Sequence, residues 1–325
     1  MIAACDCFYF LNHHPSFIIA GMANFYHELR KAELHLHLEG SVEPETMHEL
    51  APDLEVGEIR KMYRYDDFTG FLNCFGWVVR RLKTADDYAL VTRRLVERLA
   101  RENVRYAEIT LSAGVVLWKN QDLAAIYEAA RNAARHPEVE VYWQLDAIRQ
   151  FGSDHAMRVA ELAAERVSEG VVAFGIGGDE ALGPAEGFRE VYQLARQKGL
   201  RLTAHAGEVI GPESIWAALS IGAERIGHGI RAIDDPVLVR HLADRQIPLE
   251  ISISSNVATG AVASLPDHPV RKLFDAGVGI VLNTDDPAMF HTTLSREYEI
   301  AASQFGFSRE ELRVVAENGF RFAFR

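Results

Sequence analysis

The sequence is poor in cysteine: Cys5, Cys7 and Cys74 are the three cysteines in a chain of 325 residues. An odd number of cysteines in a chain of this length does not supply a disulfide framework. Low cysteine content is typical of proteins that work in a reducing compartment. We therefore expect a cytoplasmic protein whose fold depends on a hydrophobic core and not on disulfides.

Positive charge is also in short supply. The chain carries 34 lysines and arginines against 46 aspartates and glutamates, which gives a net charge of −12. Nucleic acids bind to clustered cationic side chains, so this balance argues against a nucleic-acid partner. A small neutral or weakly charged substrate fits it better, and the composition leaves the oligomeric state open.

Long uninterrupted apolar runs are missing. Residues 1–21 lean apolar, but Asn12 to Pro15 interrupt them, and they lack the basic start of a signal peptide. They are too interrupted to span a bilayer, so we expect no membrane partner. We interpret residues 1–21 as the result of a translation start assigned too far upstream, or as a loose extension. A poor signal peptide is the weaker alternative. Residues 22–325, which begin at Met22, are then predicted to form one domain.

From residue 22 onward, short apolar strands alternate with amphipathic helices, which is typical of βα units around a parallel sheet. Strands are predicted at residues 32–38, 105–111, 141–148, 171–176, 200–206, 225–228, 249–253 and 278–283. Helices are predicted at residues 86–102, 123–135, 154–169, 187–198, 214–219, 236–244 and 269–276. Eight strands with interleaved helices favour an α/β fold of the closed (β/α)₈ TIM-type barrel over an open doubly wound sheet.

The connection after the first predicted strand is longer than the others. Residues 44–84 must hold extra helices, and they include Phe68, Phe71, Phe75 and Trp77. An aromatic stripe of this kind either packs in the core or forms a lid over a substrate.

Polar residues collect where the predicted strands end. The residues concerned are His35, His37 and Glu39 after strand one, Gly178 in the run 177–180 after strand four, His205 and Glu208 after strand five, His228 after strand six, and Asp285 and Asp286 after strand eight. Alternation along a strand places His35 and His37 on the same face. Barrel enzymes keep their chemistry at the C-terminal ends of the strands, so these residues predict one active site.

Four of these residues are of the types that bind zinc at catalytic sites. His35, His37 and His205 offer imidazole nitrogens, and Asp285 offers a carboxylate oxygen. No cysteine lies near these motifs, which excludes a thiolate structural site, and calcium and magnesium prefer shells of oxygen. Zinc is favoured, while iron and manganese remain open on ligand type.

Glu208, His228 and Asp286 are the candidates for proton handling. Glu208 lies three residues after His205 and could serve as a general acid towards a substrate nitrogen, or else cap the next helix. His228 stands between two glycines and could act as a general base or an electrostatic clamp, or else be a hydrogen-bonded core histidine. Asp286 could accept a hydrogen bond from the attacking water, or else open the turn at the following proline.

Four ordered motifs resemble those of the adenosine deaminase family of metal-dependent amidohydrolases. They are His-x-His at 35–37, His-Ala-Gly-Glu at 205–208, Gly-His-Gly at 227–229 and Asn-Thr-Asp-Asp-Pro at 283–287. The resemblance extends from about Met22 to the end of the sequence. It implies a (β/α)₈ barrel with one zinc per chain, and hydrolytic removal of the 6-amino group from a purine. It also implies that His35, His37, His205 and Asp285 are the zinc ligands.

The resemblance further assigns roles to the remaining residues. Glu208 would protonate ring N1, His228 and Asp286 would orient and activate the attacking water, and the amide of Gly178 would bind ring N3. Glu39 would face the ribose, where many adenosine-specific members carry aspartate, and the run Glu-Gly-Ser-Val-Glu-Pro at 39–44 is closer to adenine and aminodeoxyfutalosine deaminases. By the same resemblance, the aromatic helices in the connection at residues 44–84 look like the family's lid over the purine.

The expected reaction is conversion of an adenine nucleoside, adenosine or 6-amino-6-deoxyfutalosine, to the 6-oxopurine and ammonia. Two alternatives stay open: deamination of free adenine, and a non-catalytic purine-binding barrel. Binuclear amidohydrolases typically need a bridging lysine from strand four, and residues 171–177 hold none. The cytidine-deaminase type of zinc site needs a Pro-Cys-x-x-Cys stretch, which this sequence lacks.

Overall fold

Eight parallel strands follow one another around a barrel in chain order. The computed structural model describes residues 25–325, so the predicted extension at residues 1–21, Met22 and the first two cysteines lie outside the described residues. The strands are β1 (Lys31–His37), β2 (Val104–Leu111), β3 (Glu140–Ile148), β4 (Val171–Gly177), β5 (Arg201–Ala206), β6 (Arg225–His228), β7 (Leu249–Ile251) and β8 (Ile280–Leu282). The predicted (β/α)₈ barrel is confirmed.

The barrel closes between its first and last strands. His37 donates its backbone N–H to the carbonyl oxygen of Asp285 at 2.8 Å, and Asp285 donates its own to His35 at 3.1 Å. On the other side of the barrel, His205 is in register with Gly227 between β5 and β6. These pairings bring residues from β1, β5, β6 and the end of β8 to one mouth of the barrel.

Helices cover the outside of the strands and connect them. They span Pro44–Leu50, Val56–Met62, Phe68–Val79, Ala85–Arg101, Ala113–Trp118, Leu123–Ala133, Ser153–Ala164, Arg189–Gln197, Pro212–Ile221, Pro236–Arg245, Ile253–Ala258, Val270–Asp275, Leu294–Phe305 and Arg309–Arg321. Within residues 25–325, no helix has the length and apolar character needed to cross a lipid bilayer.

The last two strands are shorter than the sequence predicted. A helix begins at Ile253, inside the segment predicted as strand seven, and β8 ends at Leu282. Where the chain leaves the sheet, residues of the new helix contact residues of the barrel mouth: Ser255 donates to Asp285 and Asn256 contacts His228. These contacts depend on tertiary structure, and the local pattern of apolar residues does not reveal them.

The long connection after β1 holds the extra helices that were expected. The helix Phe68–Val79 begins at Asp67, whose carboxylate accepts the N–H of Gly70 at 2.7 Å. Its aromatic residues divide between two environments. Phe71 and Phe75 line the cavity at the barrel mouth, whereas Trp77 packs edge-on against Tyr63. The stripe therefore serves both as core and as a wall of the cavity.

Candidate active site

A cavity of about 720 Å³, including its open mouth, lies at the C-terminal ends of the strands. Its outer wall is apolar and is formed by Phe68, Phe71, Leu72, Phe75, Val115 and Ile148. Its polar lining consists of His37, Ser112, Asp146, Gln150, His205, Glu208, His228, Asp285 and Asp286. The cavity thus combines a hydrophobic entrance with a floor of titratable groups.

Three histidines and one aspartate converge at this floor. One ligand atom from each of His35, His37, His205 and Asp285 lies within 4.8 Å of all the others. His37 Nε2 is 3.3 Å from His205 Nε2 and 3.4 Å from Asp285 Oδ1, and His35 Nε2 is 3.3 Å from the same oxygen. Three imidazole nitrogens and one carboxylate oxygen facing one point are a donor set that fits a catalytic divalent metal.

The charge states of His37, His205 and Asp285 suit this use. Although burial opposes it, the hydrogen bonds of His35 with Asp285 and Glu250 raise the pKa of His35 to about 10, so a metal would have to displace a proton from this imidazole. Burial lowers the pKa of His37 to about 4 and holds the pKa of His205 well below its usual range, so both imidazoles are neutral near pH 7. For Asp285, burial opposes ionisation, but the hydrogen bond with His35 and the nearby histidines hold the carboxyl pKa well below its usual range. Neutral imidazole and ionised carboxylate are the forms that bind a metal.

His35 is oriented from below by a buried ion network. Its Nδ1 lies 2.9 Å from Glu250 Oε2, and Glu250 Oε1 lies 2.6 Å from Arg225 Nε. Arg225 also pairs with Glu108. A carboxylate on the second nitrogen fixes the ring and leaves Nε2 directed at the metal position.

The other ligands also have fixed partners. Ser255 Oγ donates to Asp285 Oδ2 at 2.7 Å, and His205 Nδ1 lies 3.2 Å from the carbonyl oxygen of Ile176. Asp285 has a φ of +63°, a conformation that is costly for a residue with a side chain. Contacts with Ser255, His35 and His37 hold Asp285 in this conformation. In it, the carboxylate of Asp285 faces the histidines.

His228 is held by a relay of hydrogen bonds that determines its tautomer. The backbone N–H of Val270 donates to His268 Nδ1 at 3.2 Å, so the proton of neutral His268 is on Nε2, which lies 3.1 Å from Asn256 Oδ1. The amide nitrogen of Asn256 then faces His228 Nδ1 at 3.0 Å. Burial lowers the pKa of His228 to about 4, so its single proton is on Nε2, which faces the cavity floor.

Glu208 lies on the loop after β5, where Glu180 clamps the backbone. Glu180 accepts the N–H groups of Gly207 at 2.9 Å, Glu208 at 2.9 Å and Val209 at 3.2 Å, together with the hydroxyl of Ser214 at 2.6 Å. The next helix has its N-cap at Gly211, so Glu208 does not cap it.

The side chain of Glu208 lies near His228 at the floor of the cavity. Its Oε2 is 3.6 Å from His228 Nε2. Burial, together with the charges of Asp285 and Glu180, raises the pKa of Glu208 well above its usual range. Glu208 is therefore a carboxyl that can hold a proton near neutral pH.

Asp286 lies against Gly40, a residue that the sequence pattern did not single out. A Cβ at Gly40 would lie 1.7 Å from Asp286 Oδ1, so only glycine fits beside this carboxyl. Burial and the neighbouring charge of Asp285 raise the pKa of Asp286 well above its usual range. Asp286 Oδ1 makes no hydrogen bond within the described residues, and Asp286 lines the cavity.

Gly178 and Glu39 are the two remaining predicted site residues, and they differ in their position relative to the cavity. Gly178 lines the cavity with a φ of +88°, and a Cβ there would lie 2.3 Å from Gln150 Oε1. Glu39 does not line the cavity. It is fully buried and accepts the backbone N–H of Ser112 at 3.1 Å, and burial raises its pKa to about 7. Ser112, which lines the cavity, lies next to Glu39, and the assignment of Glu39 to the ligand stays a prediction.

Sequence reasoning missed several residues of the site. Asp146 is buried in β3 and lines the cavity, while Glu250 and His268 support the metal ligand and the tautomer relay. A buried aspartate within the apolar run of β3 was a signal that could have pointed to Asp146. No local signal marked His268, because its partner Asn256 becomes its neighbour only through folding.

Known proteins resemble this chain over almost its whole length. A family model described as Adenosine deaminase matches residues 30–325. The chain is 38% identical over 310 residues to an aminodeoxyfutalosine deaminase of Streptomyces avermitilis, covering 91% of this chain and 87% of the relative. It is 37% identical over 305 residues to an adenine deaminase of Rhizobium leguminosarum bv. trifolii, covering 91% and 95%.

A solved structure extends the comparison to the metal. An amidohydrolase from Burkholderia ambifaria with bound zinc superposes with a TM-score of 0.87 at 29% identity, covering 93% of this chain and 88% of that chain. Fold, ligand set and relatives agree with one another. The chain belongs to the adenosine deaminase family and is a metal-dependent deaminase of the adenine and adenosine type.

Proposed function

We propose that this enzyme uses one zinc ion to remove the 6-amino group of an adenine nucleoside, adenosine or 6-amino-6-deoxyfutalosine. The products are the 6-oxopurine nucleoside and ammonia. The observation that carries the proposal is the meeting of a buried carboxyl, Glu208, and the Nε2 atom of His228, 3.6 Å apart, beside the four residues that could bind a metal. The three-nitrogen, one-oxygen ligand set and the zinc-bound relative support zinc as the metal.

The metal would be held by His35, His37, His205 and Asp285. When bound, zinc supplies a Lewis acid that makes a water acidic enough to attack carbon near neutral pH. Everything else that the reaction needs must come from side chains of the protein.

Glu208 is the general acid of the proposed mechanism. Attack at C6 of the purine pushes electrons onto ring N1, and a proton delivered there neutralises the developing charge. Burial raises the pKa of Glu208 well above its usual range, which favours the protonated carboxyl. General acid catalysis by a positioned group contributes typically ~10²–10⁴-fold.

His228 serves as an electrostatic clamp in this mechanism and not as a general base. The relay from His268 and Asn256 leaves the proton of His228 on Nε2, on the side that faces Glu208 and Asp285. A nitrogen that already carries its proton cannot accept another without becoming charged, and burial opposes that charge. The N–H group of His228 can therefore stabilise the oxygen that attacks C6. Asp286 would accept one proton of the attacking water and pass it to the amino group, which leaves as ammonia. The second proton of that water would replace the proton that Glu208 gives to N1.

The lining of the cavity supports a nucleoside over a nucleotide. No lysine or arginine is among the residues that line it, in the part of the chain that the structure describes. A buried phosphate would lack the cationic partners that it requires. The apolar outer wall and the open mouth of the cavity suit an uncharged substituent on purine N9.

Free adenine is the second candidate substrate, and one observation favours it. Glu39 binds Ser112 and does not reach the cavity, so this residue offers no partner for a ribose hydroxyl. The adenine deaminase relative is also about as similar to this chain as the aminodeoxyfutalosine deaminase.

Ammonia release tests the proposal. Adenosine, deoxyadenosine, 6-amino-6-deoxyfutalosine and adenine are compared by kcat/KM with the zinc-loaded enzyme, with Glu208→Gln as the inactive control. We expect one of the nucleosides to have the highest kcat/KM. A higher kcat/KM for adenine would transfer the assignment to the free base. Binding of all four compounds without release of ammonia would identify a non-catalytic purine-binding barrel.

A further inference from the structure

Residues 322–324 follow the last helix and lie at the end of the barrel opposite the cavity. The last helix packs closely on β1, because a Cβ at its Gly319 would lie 3.0 Å from the Cβ of Ala32. The ring of Phe322 packs as closely on Gly279, where a Cβ would lie 2.9 Å from its Cε2. Ala32 stands at the beginning of β1, and Gly279 comes directly before β8. The segment 322–324 therefore lies beneath the barrel, at the N-terminal ends of its strands.

Three contacts join the segment 322–324 to two buried ions inside the barrel. The carbonyl oxygen of Phe322 accepts a hydrogen bond from Arg225 Nη1 at 2.9 Å. The backbone N–H of Phe324 donates to Glu108 Oε1 at 2.6 Å. The ring centroid of Phe324 lies 3.6 Å from the guanidinium carbon of Arg225 and 4.4 Å from that of Arg201. Since Arg225 and Glu108 are both buried, the segment is part of their fixed surroundings.

The ion network formed by Glu108, Arg225 and Glu250 leads from this segment to a candidate metal ligand. Arg225 Nε lies 2.6 Å from Glu250 Oε1, and Glu250 Oε2 lies 2.9 Å from His35 Nδ1. Removing one partner of a buried ion pair is strongly destabilising, so a displaced Arg225 would draw Glu250 with it or leave it without its cation. Either change alters the support of the His35 ring.

Arg225 is shared between two buried carboxylates, Glu108 and Glu250. Glu108 also accepts the hydroxyl of Tyr106 at 2.9 Å and the N–H of Phe324. Within residues 25–325, the side chain of Glu250 pairs with Arg225 and the metal ligand alone. The additional donors satisfy Glu108, so that Arg225 can remain against Glu250, whose position depends on it.

We propose that the segment 322–324 is a positioning element of the active site: by holding Arg225 against Glu250 it fixes the ring of His35, and it thereby sets the affinity of the site for its metal. The segment touches no reacting atom and acts through the ion network. The inference rests on the zinc site of the proposed function. It extends that site from the mouth of the barrel to the opposite end.

The test is the dissociation constant for zinc, measured on the full chain by competition with a chelating dye. Phe324→Leu keeps the backbone N–H and an apolar side chain but removes the ring face beneath Arg225. Loss of the partner of a metal-binding histidine typically weakens metal binding ~10–100-fold; Phe324 acts two contacts further away, so we expect Phe324→Leu to bind zinc ~3–10-fold more weakly. Phe324→Tyr retains the ring face and should bind zinc as the wild type does.

A double substitution separates action through the network from a general structural effect. Glu250→Gln breaks the link between Arg225 and His35, so Phe324→Leu should weaken zinc binding less in this background than in the wild type. Equal effects of Phe324→Leu in both backgrounds would show that the segment does not act through Glu250.

Phe320→Leu is the matched control. The ring of Phe320 lies 4.4 Å from the guanidinium carbon of Arg30, which is not a member of the ion network. This variant loses the same kind of contact four residues away and should keep the wild-type affinity for zinc. Wild-type affinity in Phe324→Leu, or an equal loss in Phe320→Leu, would overturn the positioning role. If the wild type binds zinc in either of those cases, this inference alone fails; if the wild type binds no zinc, the proposed zinc site fails with it.

Discussion

Replacing Glu180 by glutamine tests whether the backbone clamp positions the general acid. Glu180 accepts four hydrogen bonds, three of them from consecutive backbone N–H groups at residues 207–209. Glutamine has the same shape but only one accepting oxygen. Its amide N–H₂ must face at least one donor that the carboxylate now binds.

The expected loss of stability and of kcat in Glu180→Gln follows from the number of hydrogen-bond acceptors that are lost. Leaving one buried N–H unsatisfied costs ~1–3 kcal/mol, which for a domain of this size lowers the melting temperature by roughly 2–4 °C per kcal/mol. The loop must move to relieve the clash, and Glu208 moves with it. A displacement of 1 Å at a catalytic group can cost ~10²-fold in rate, so we expect kcat to fall ~10–100-fold.

Three measurements decide the outcome: kcat for adenosine, zinc content and melting temperature. Zinc content should be unchanged because the hydrogen bonds of Glu180 within residues 25–325 go to residues 207–209 and Ser214 and not to a candidate ligand. The matched control is Ser214→Ala, which removes one hydroxyl and leaves the three backbone hydrogen bonds in place. It should keep most of its activity. A Glu180→Gln enzyme with wild-type kcat would refute the positioning role.

Three further predictions concern the acid, its neighbours and the tautomer relay. Glu208→Gln cannot deliver a proton, so kcat should fall by at least ~10²-fold with zinc content unchanged; loss of zinc instead would place Glu208 among the ligands. Gly40→Ala should displace Asp286, because the added Cβ would lie 1.7 Å from its Oδ1, and should lower kcat while the protein stays folded by circular dichroism. Burial lowers the pKa of His268 from 6.5 to about 3 and that of His228 from 6.5 to about 4. Below pH 6.5 each of these two imidazoles therefore binds more protons in the unfolded chain than in the folded chain, and as the pH falls its contribution lowers the free energy of unfolding by up to ~1.4 kcal/mol per pH unit. The buried carboxyls of Glu33 and Glu39, whose pKa values burial raises to about 7, contribute with the opposite sign. Denaturant unfolding across this range checks the slope, and His268→Gln should reduce it.

Much of the fold could be predicted from the sequence because its signals are local. The strands and helices repeat as apolar runs and amphipathic periods, and their predicted positions differ from the structure by a few residues. The four candidate ligands were also accessible, since they end strands whose C-terminal edges must meet in a closed barrel.

The rest depended on partners that are distant in the sequence. Glu39 accepts a hydrogen bond from the N–H of Ser112, 73 residues later, so the local sequence does not reveal the surroundings of its carboxyl. The choice between general base and clamp for His228 required its contact with Asn256. Asp146 remained unnoticed because only the packing beside Gly177 shows that its carboxyl is both buried and unpaired.

The most direct test of the central claim is a zinc titration of activity. The protein is stripped with a chelator, zinc is returned in steps, and the rate of ammonia release from adenosine is followed against bound zinc. The four-ligand site predicts no rate without zinc and a linear rise that saturates at one zinc per chain. A rate that does not depend on metal, or that rises until two ions are bound, would contradict it.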